Sequence, residues 1–320
     1  MKTKIKLNPI LERLLSTKRP TNNPIQNFRV MTSLLEDLEI DYALDALLNI
    51  TVDRGGDTCF TAHTDTVDNK EGYNVLDVDK KGIITVKGGG VLGADDGSGV
   101  YVLLRMILAG KRGLYVFFAT EEQGRVGSSS YEMPVHIKKC VSFDRKGYDN
   151  LITHQMGERG CSSEFAQAFI AAFELPYRED PTGSYTDSYT FFDCVPECIN
   201  LSVGYFDQHT KQESQDCVFL EKLVEACIAL DWENLPVCRD PHVIENYGYG
   251  KPAYTPMSYG NWGGNWGGNW HTSNRADAME DYVYNNADIV TAYLEDMGVT
   301  LQDLTDYEEA LYGDKHYTYQ

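Results

Sequence analysis

The sequence predicts an α/β fold, a three-layer α/β/α arrangement around a mixed, mostly parallel central sheet. Two observations carry that prediction. Short apolar runs of strand length alternate with amphipathic helical segments between about residues 58 and 230. Most of those apolar runs also end abruptly in histidine or carboxylate groups, as strands do where an α/β sheet opens onto a site. With 320 residues, 42% hydrophobic and 12% aromatic, the chain is long enough for one sizeable core and a small appendage.

Taken in order, residues 9 to 50 read as helical material broken by the polar stretch TKRPTNN. TCFTAHTD (58–65) is a short apolar strand ending in polar groups. GYNVLDVDKKGIITVKGGG (72–90) has the form of a hairpin turning at Lys80, Lys81 and Gly82. DDGSGVYVLLRMILAGK opens on a capping signature and keeps helical periodicity until Gly110. GLYVFFAT (113–120), CVSFD (140–144) and CINLSVGY (198–205) are buried-strand segments, whereas CSSEFAQAFIAAFELP (161–176) and FLEKLVEACIAL (219–230) are amphipathic helices.

Three regions follow: a main α/β domain over 1–240, a Gly/Asn/Trp/Tyr-rich linker or surface loop over 241–275, and an acidic, partly helical tail over 276–320. The middle region holds Trp262, Trp266 and Trp270, three of the four tryptophans, with no core-forming period. An aromatic strip that binds a ligand is its competing reading. From Ala276 to Glu309 the tail has ten acidic residues and no Lys or Arg.

A formal net charge of −20 argues against nucleic acid or an anionic membrane as the partner, since both would be repelled. A divalent cation would be attracted. No apolar run has the length of a signal peptide core or a membrane span, and the eight cysteines are scattered rather than arranged as a disulfide framework. A cytoplasmic protein with reduced, mostly buried thiols is expected.

The polar groups at the segment ends are His63 and Asp65 in AHTD, Asp95 and Asp96 in GADDGSG, Glu121 and Glu122 in ATEEQG, Asp144 in SFDRKG and His209 in FDQHTKQE. Singly they are ordinary: strand-end histidines are usually satisfied by hydrogen bonds, and Asp-Gly pairs are turn chemistry. Jointly they are not, because the sheet brings the ends together and unpaired carboxylates so placed would repel one another and resist burial. Metal resolves the conflict. Histidine and carboxylate without cysteine suit Zn²⁺ or a related ion, with Co²⁺ or Mn²⁺ also possible. Two ions need about five protein ligands and one proton-handling group. His63, Asp95, Glu122, Asp144 and His209, with Glu121, supply that number, and Asp65 is placed to accept a hydrogen bond from the non-ligating nitrogen of His63.

In combination, HTD, GADDGSG, TEEQGRVGS, FD and HT with Glu213 four residues beyond His209 resemble the two-zinc exopeptidase clan of bacterial leucyl aminopeptidases, glutamate carboxypeptidases and their relatives. The resemblance covers about residues 10–235. It implies that His63 and Asp144 hold one Zn²⁺, that Glu122 and His209 hold the other, and that Asp95 bridges them. It further implies that Glu121 is the general acid/base, that Asp65 orients His63, and that the Asp95–Asp96 peptide is often cis. Only 65 positions separate Asp144 from His209 and 32 separate His63 from Asp95, too few for the lid or inserted domains of larger relatives. The compact aminopeptidase-like branch fits that spacing.

The activity so implied is a metallopeptidase removing N-terminal residues of peptides. Alternatives on the same scaffold are a carboxypeptidase, an N-acyl amino acid amidohydrolase, or a single-metal acyl transfer of glutaminyl-cyclase type. A silent binding module is a reading from another class. Arg125, Arg145 and Arg159 are the candidate partners for a substrate carboxylate, and Tyr185, Tyr189 and Tyr205 are candidate pocket walls. KGGGVLG lacks the Gly-Lys-Ser/Thr ending of a phosphate loop. Cys194 and Cys198 have no suitably placed second pair for a closed metal site.

Overall fold

A computed structural model describes residues 5–68 and 70–243. The Gly/Asn/Trp/Tyr-rich segment from residue 244 on and the acidic tail lie outside the described residues. The described residues fall in one compact unit.

Two helices come first, α1 (Pro9–Ser16) and α2 (Pro24–Asp37). Each starts with an asparagine whose side-chain oxygen accepts an early backbone N–H, followed by a proline at the first helical position. Helical structure does not continue to residue 50 as the sequence suggested. Glu39 takes a left-handed φ of 54° and Ile40 donates back to the Leu35 carbonyl, which ends α2. The Asp45 carboxylate then accepts from the N–H groups of Leu47 and Asn49 and makes a turn between β1 (Ala43–Leu44) and β2 (Ile50–Asp53).

The remaining elements are β3 (Thr58–His63), the hairpin β4 (Leu76–Val78) and β5 (Ile83–Val86), α3 (Ala94–Leu108), β6 (Leu114–Phe118) and the short α4 (Val126–Ser129). After them come β7 (Lys139–Arg145), β8 (Asn150–Ile152), β9 (His154–Gln155), β10 (Glu158–Arg159), α5 (Ser163–Ala172) and β11 (Arg178–Asp180). The chain continues through β12 (Glu197–Ser202), β13 (Tyr205–Phe206), β14 (Ser214–Asp216) and α6 (Cys217–Ala229).

Eight strands form the central sheet in the order β1-β2-β6-β3-β7-β12-β8-β11. The four central strands, β6, β3, β7 and β12, are mutually parallel, while β2 joins β6 and β8 joins β12 antiparallel. The sheet is therefore mixed and mostly parallel. From β3 the chain passes to β6 on one side and then crosses back to β7 on the other. Such a reversal opens a crevice outside the carboxyl ends of the strands, where α/β sheets place their ligands.

Both faces of the sheet are covered, as expected for parallel strands. One face carries Phe60, Tyr115, Phe117, Val141, Phe143, Ile199 and Leu201 against the helices. Every residue of α3 from Ala94 to Leu104 is buried, because this helix lies between the sheet and the outer helices α1 and α6. The other face carries Cys59, Val116, Phe118, Cys140 and Cys198 against Ile137, Phe191, Phe192 and Val195. Its cover is thin: α4, the 3₁₀ turn Asp187–Phe191 and loops. All eight cysteines are free, and six of them are buried.

Candidate metal centre

The parallel strands deliver their functional groups to one edge. His63 is the last residue of β3, Glu121 and Glu122 follow β6 in a 3₁₀ turn, Asp144 lies at the end of β7, and His209 lies beyond β12 and β13. Asp95 comes from the start of α3. The turn after β6 is tight, with Thr120 and Arg125 both at positive φ.

The ligand atoms of His63, Asp95 and Asp144 converge within 4.8 Å of one another, and so do those of Asp95, Glu122 and His209. Asp95 belongs to both groups. Its Oδ1 lies 3.1 Å from His63 Nε2 and its Oδ2 3.2 Å from His209 Nε2. Asp144 Oδ1 lies 3.9 Å from His63 Nε2, and Glu122 Oε1 lies 2.9 Å from His209 Nε2. Ligand bonds of about 2.0–2.2 Å at a tetrahedral angle put neighbouring ligand atoms about 3.3 Å apart, which these separations bracket. The Glu122 oxygen is buried and receives no hydrogen bond of proper geometry despite the nearby imidazole. Two lone pairs directed at a common point produce that arrangement, and the donor set of two imidazoles and three carboxylates suits borderline or hard divalent ions.

Electrostatics points the same way. Burial, reinforced by the charge of Asp95, pushes Asp144 up to about 8. Burial likewise raises Glu121 to about 9; His63 opposes the rise, while Asp144, Asp187 and Glu122 add to it. Burial would raise Asp95 too, but hydrogen bonds with His209 and His63 outweigh it and hold the group far below its usual range. The close approach of the Asp95 and Glu122 carboxylates to its ring raises His209 to about 10. The cluster thus holds protons where cations would relieve the same crowding.

The supporting residues fix this geometry. His63 Nδ1 lies 2.9 Å from the backbone oxygen of Asp65 and 3.4 Å from its carboxylate. Asp65 therefore meets that ring nitrogen with its carbonyl and, at longer range, with its carboxylate. The carboxylate also accepts from the N–H of Glu121 (3.0 Å), the N–H of Glu122 (3.3 Å) and the hydroxyl of Thr21 (2.6 Å). Asp65 thus couples the β3 end to the β6 turn. Asp96 accepts from the His63 N–H (3.1 Å) and caps the regular part of α3 by accepting from Gly99 N (2.9 Å). The Asp95–Asp96 peptide is cis.

Three further contributors were not singled out from the sequence. Glu213 is buried and accepts four backbone N–H groups, those of Leu92, Gly93, Ala94 and Asp95, at 2.7–3.1 Å. It pins the approach to Asp95; its position in the motif was noted, but nothing local reveals that its partners lie about 120 positions earlier. Asn200 is the second: it accepts the Asp144 N–H and donates to the Asp144 carbonyl, both at 2.8 Å. The third is Arg19, fully buried, which donates to the carbonyls of Leu14, Thr64 and Gly93. The polar break TKRPTNN is therefore part of the site's scaffold. Tyr205 and Thr186 donate to the two oxygens of Asp144, whereas Tyr185 and Tyr189 stack on the Arg125 guanidinium. A cavity of about 330 Å³ opens on Asp95, Glu121, Glu122, Asp144 and His209.

No protein-family model and no curated protein sequence matches the chain. Solved structures do match. Aminopeptidase PepT from Bacillus cereus is 14% identical over 68% of this chain and 95% of its own, with a TM-score of 0.56. A tripeptidase from Staphylococcus aureus gives the same identity, coverage and TM-score. The Pyrococcus horikoshii TET1 peptidase, which assembles into a tetrahedron or a large octahedral shell, is 16% identical over 68% of this chain and 97% of its own, with a TM-score of 0.53. The chain therefore shares the α/β fold of these peptidases. No helix among the described residues is long and apolar enough to cross a membrane.

Proposed function

We propose that the protein is a metal-dependent exopeptidase that removes N-terminal residues from peptides, with its catalytic domain within residues 1–240. The observation that carries this reading is the pair of ligand triads sharing Asp95, with the Glu121 carboxylate beside them on one cavity. The peptidase names of the structural neighbours support it. His63, Asp95 and Asp144 would hold one cation and Asp95, Glu122 and His209 the other, Zn²⁺ being the ion best suited to the set. When bound, such ions polarise the scissile carbonyl and make water acidic enough to attack at neutral pH.

The remaining work belongs to the chain. Consecutive side chains leave the β6 turn in divergent directions, so Glu122 faces the ligand cluster while Glu121 stays off it. Glu121 takes the proton of the attacking water and delivers it to the leaving amine. Asp65 holds the Glu121 and Glu122 backbone, Glu213 holds the Asp95 loop, and Tyr205 and Thr186 hold Asp144. Free cysteines in the described fold fit a reducing cytoplasm. The test is a panel of aminoacyl, N-acyl and dipeptide substrates assayed on chelated protein titrated with Zn²⁺, Co²⁺ or Mn²⁺. Release of N-terminal residues that depends on added metal supports the reading. Cleavage of N-acyl substrates alone would move the protein to the amidohydrolases.

A further inference from the structure

The cavity lining carries both signs of charge: the ligand cluster and, with it, the cations Arg145 and Lys146 and the uncharged polar residues Ser184 and Gln208. Of the three arginines suggested by the sequence, only Arg145 lines this cavity. Arg125, whose Nε is also buried without a partner among the described residues, donates to Thr190 (2.9 Å) and lies over the rings of Tyr185 and Tyr189, and Arg159 donates to the Cys161 carbonyl and the Ser163 hydroxyl (both 2.7 Å).

Arg145 forms a long ion pair with Asp180: its Nη2 lies 3.4 Å from both Asp180 Oδ2 and Thr182 Oγ1, at the long limit of a hydrogen bond. Its Nε is buried with no partner among the described residues, and a buried guanidinium N–H without an acceptor is costly. Lys146 is exposed and makes no side-chain hydrogen bond or ion pair among the described residues. In a molecule of net charge −20, two adjacent cations on the wall of an otherwise acidic cavity are the groups that could receive an anion. A planar carboxylate matches the guanidinium fork. At about 330 Å³ the cavity lies at the small end of the ligand-pocket range of roughly 300–1,000 Å³.

We propose that Arg145 and Lys146 form a carboxylate-binding subsite that restricts the enzyme to short peptides carrying a carboxylate within reach of the cleaved bond. This rests on the peptidase reading, and it makes Arg145 the principal specificity determinant. The carboxylate can come from the peptide's own C-terminus or from an acidic side chain.

The test is calorimetric binding to the metal-loaded full chain carrying Glu121→Gln, which removes turnover from the readout. The probes are Ala-Ala-Ala, its C-terminal amide and the amide of Ala-Glu-Ala. Ala-Ala-Ala is expected to bind at least tenfold more tightly than its amide, and adding Arg145→Ala or Lys146→Ala is expected to shrink that ratio severalfold while amide affinity stays constant. Arg145→Lys should restore part of it. Tight binding of the glutamyl amide assigns the carboxylate to the side chain; weak binding assigns it to the C-terminus. Acid and amide binding within twofold of each other, or a ratio unchanged in folded variants, overturns the proposal, as does absence of binding to any probe. Metal-dependent cleavage without carboxylate preference would sink the subsite and leave the peptidase reading intact. Preference without cleavage by the wild-type protein would do the reverse.

Discussion

At the level of single residues, Glu121 and Glu122 are neighbours in sequence with separate proposed tasks. Replacing Glu121 with Gln removes proton transfer but no ligand atom, so turnover should fall by about 10²–10⁴-fold at unchanged metal content, measured by initial rates and by mass spectrometry of bound metal. Asp65 acts through others, accepting the N–H groups of both glutamates. Asp65→Ala should therefore weaken metal binding by roughly 10–100-fold, the usual effect of losing a ligand's support, and a chelator competition assay reads it. Every proposed ligand was visible in the sequence because each follows an apolar strand or opens a helix. Among the supports, Asp65 and Glu213 stand in the motifs, but the partners of Glu213, Asn200 and Arg19 are backbone groups distant in sequence, and such hydrogen bonds leave no local pattern.

At the level of elements, α3 shows how closely the site is packed. A Cβ at position 99 would lie 2.4 Å from the Asp96 carboxylate and 2.6 Å from the Phe143 carbonyl oxygen, so only glycine lets α3 approach the end of β7. Gly99→Ala should cost about 1–3 kcal/mol, the range for overpacking a tight core, read by denaturant unfolding. Glu213→Ala should also destabilise, because it leaves four N–H groups unpaired in a buried loop and each such orphan costs about 1–3 kcal/mol unless water enters. The buried strands, the hairpin and the helices α3, α5 and α6 were legible because their periods are clean. The stretch 38–50 misled. ALDALLNI has a helical composition, yet the left-handed Glu39 and the Asp45 turn convert it to a strand connection. Tertiary pairing of β2 with β6 overrides local propensity there.

At the level of the whole molecule, the fold collects acid at the carboxyl ends of its parallel strands, and the metal-free protein should register this as a pH-dependent cost. Asp144 at about 8 and Glu121 at about 9 sit above their unfolded values near 4. His209 at about 10 sits above 6.5. A group whose folded pKa is raised gives stability that is complete below its unfolded pKa and is lost as pH rises through the folded value. Asp65 and Asp95 are lowered; their contribution is present above about 3.8 and stays constant across this window. The melting temperature of chelated protein should therefore fall between pH 5.5 and 8.5. Ligands must be deprotonated to bind metal, so the stabilisation given by added Zn²⁺ should grow over the same interval.

Two cations sharing Asp95 are the centre of this account, and metal stoichiometry tests that claim most directly. Mass spectrometry of the intact, Zn²⁺-titrated chain should find two tightly bound ions in the wild-type protein and one in His209→Ala, whose half-exposed side chain can be removed without opening the core. A single ion in the wild-type protein, or an unchanged count in His209→Ala, would contradict it.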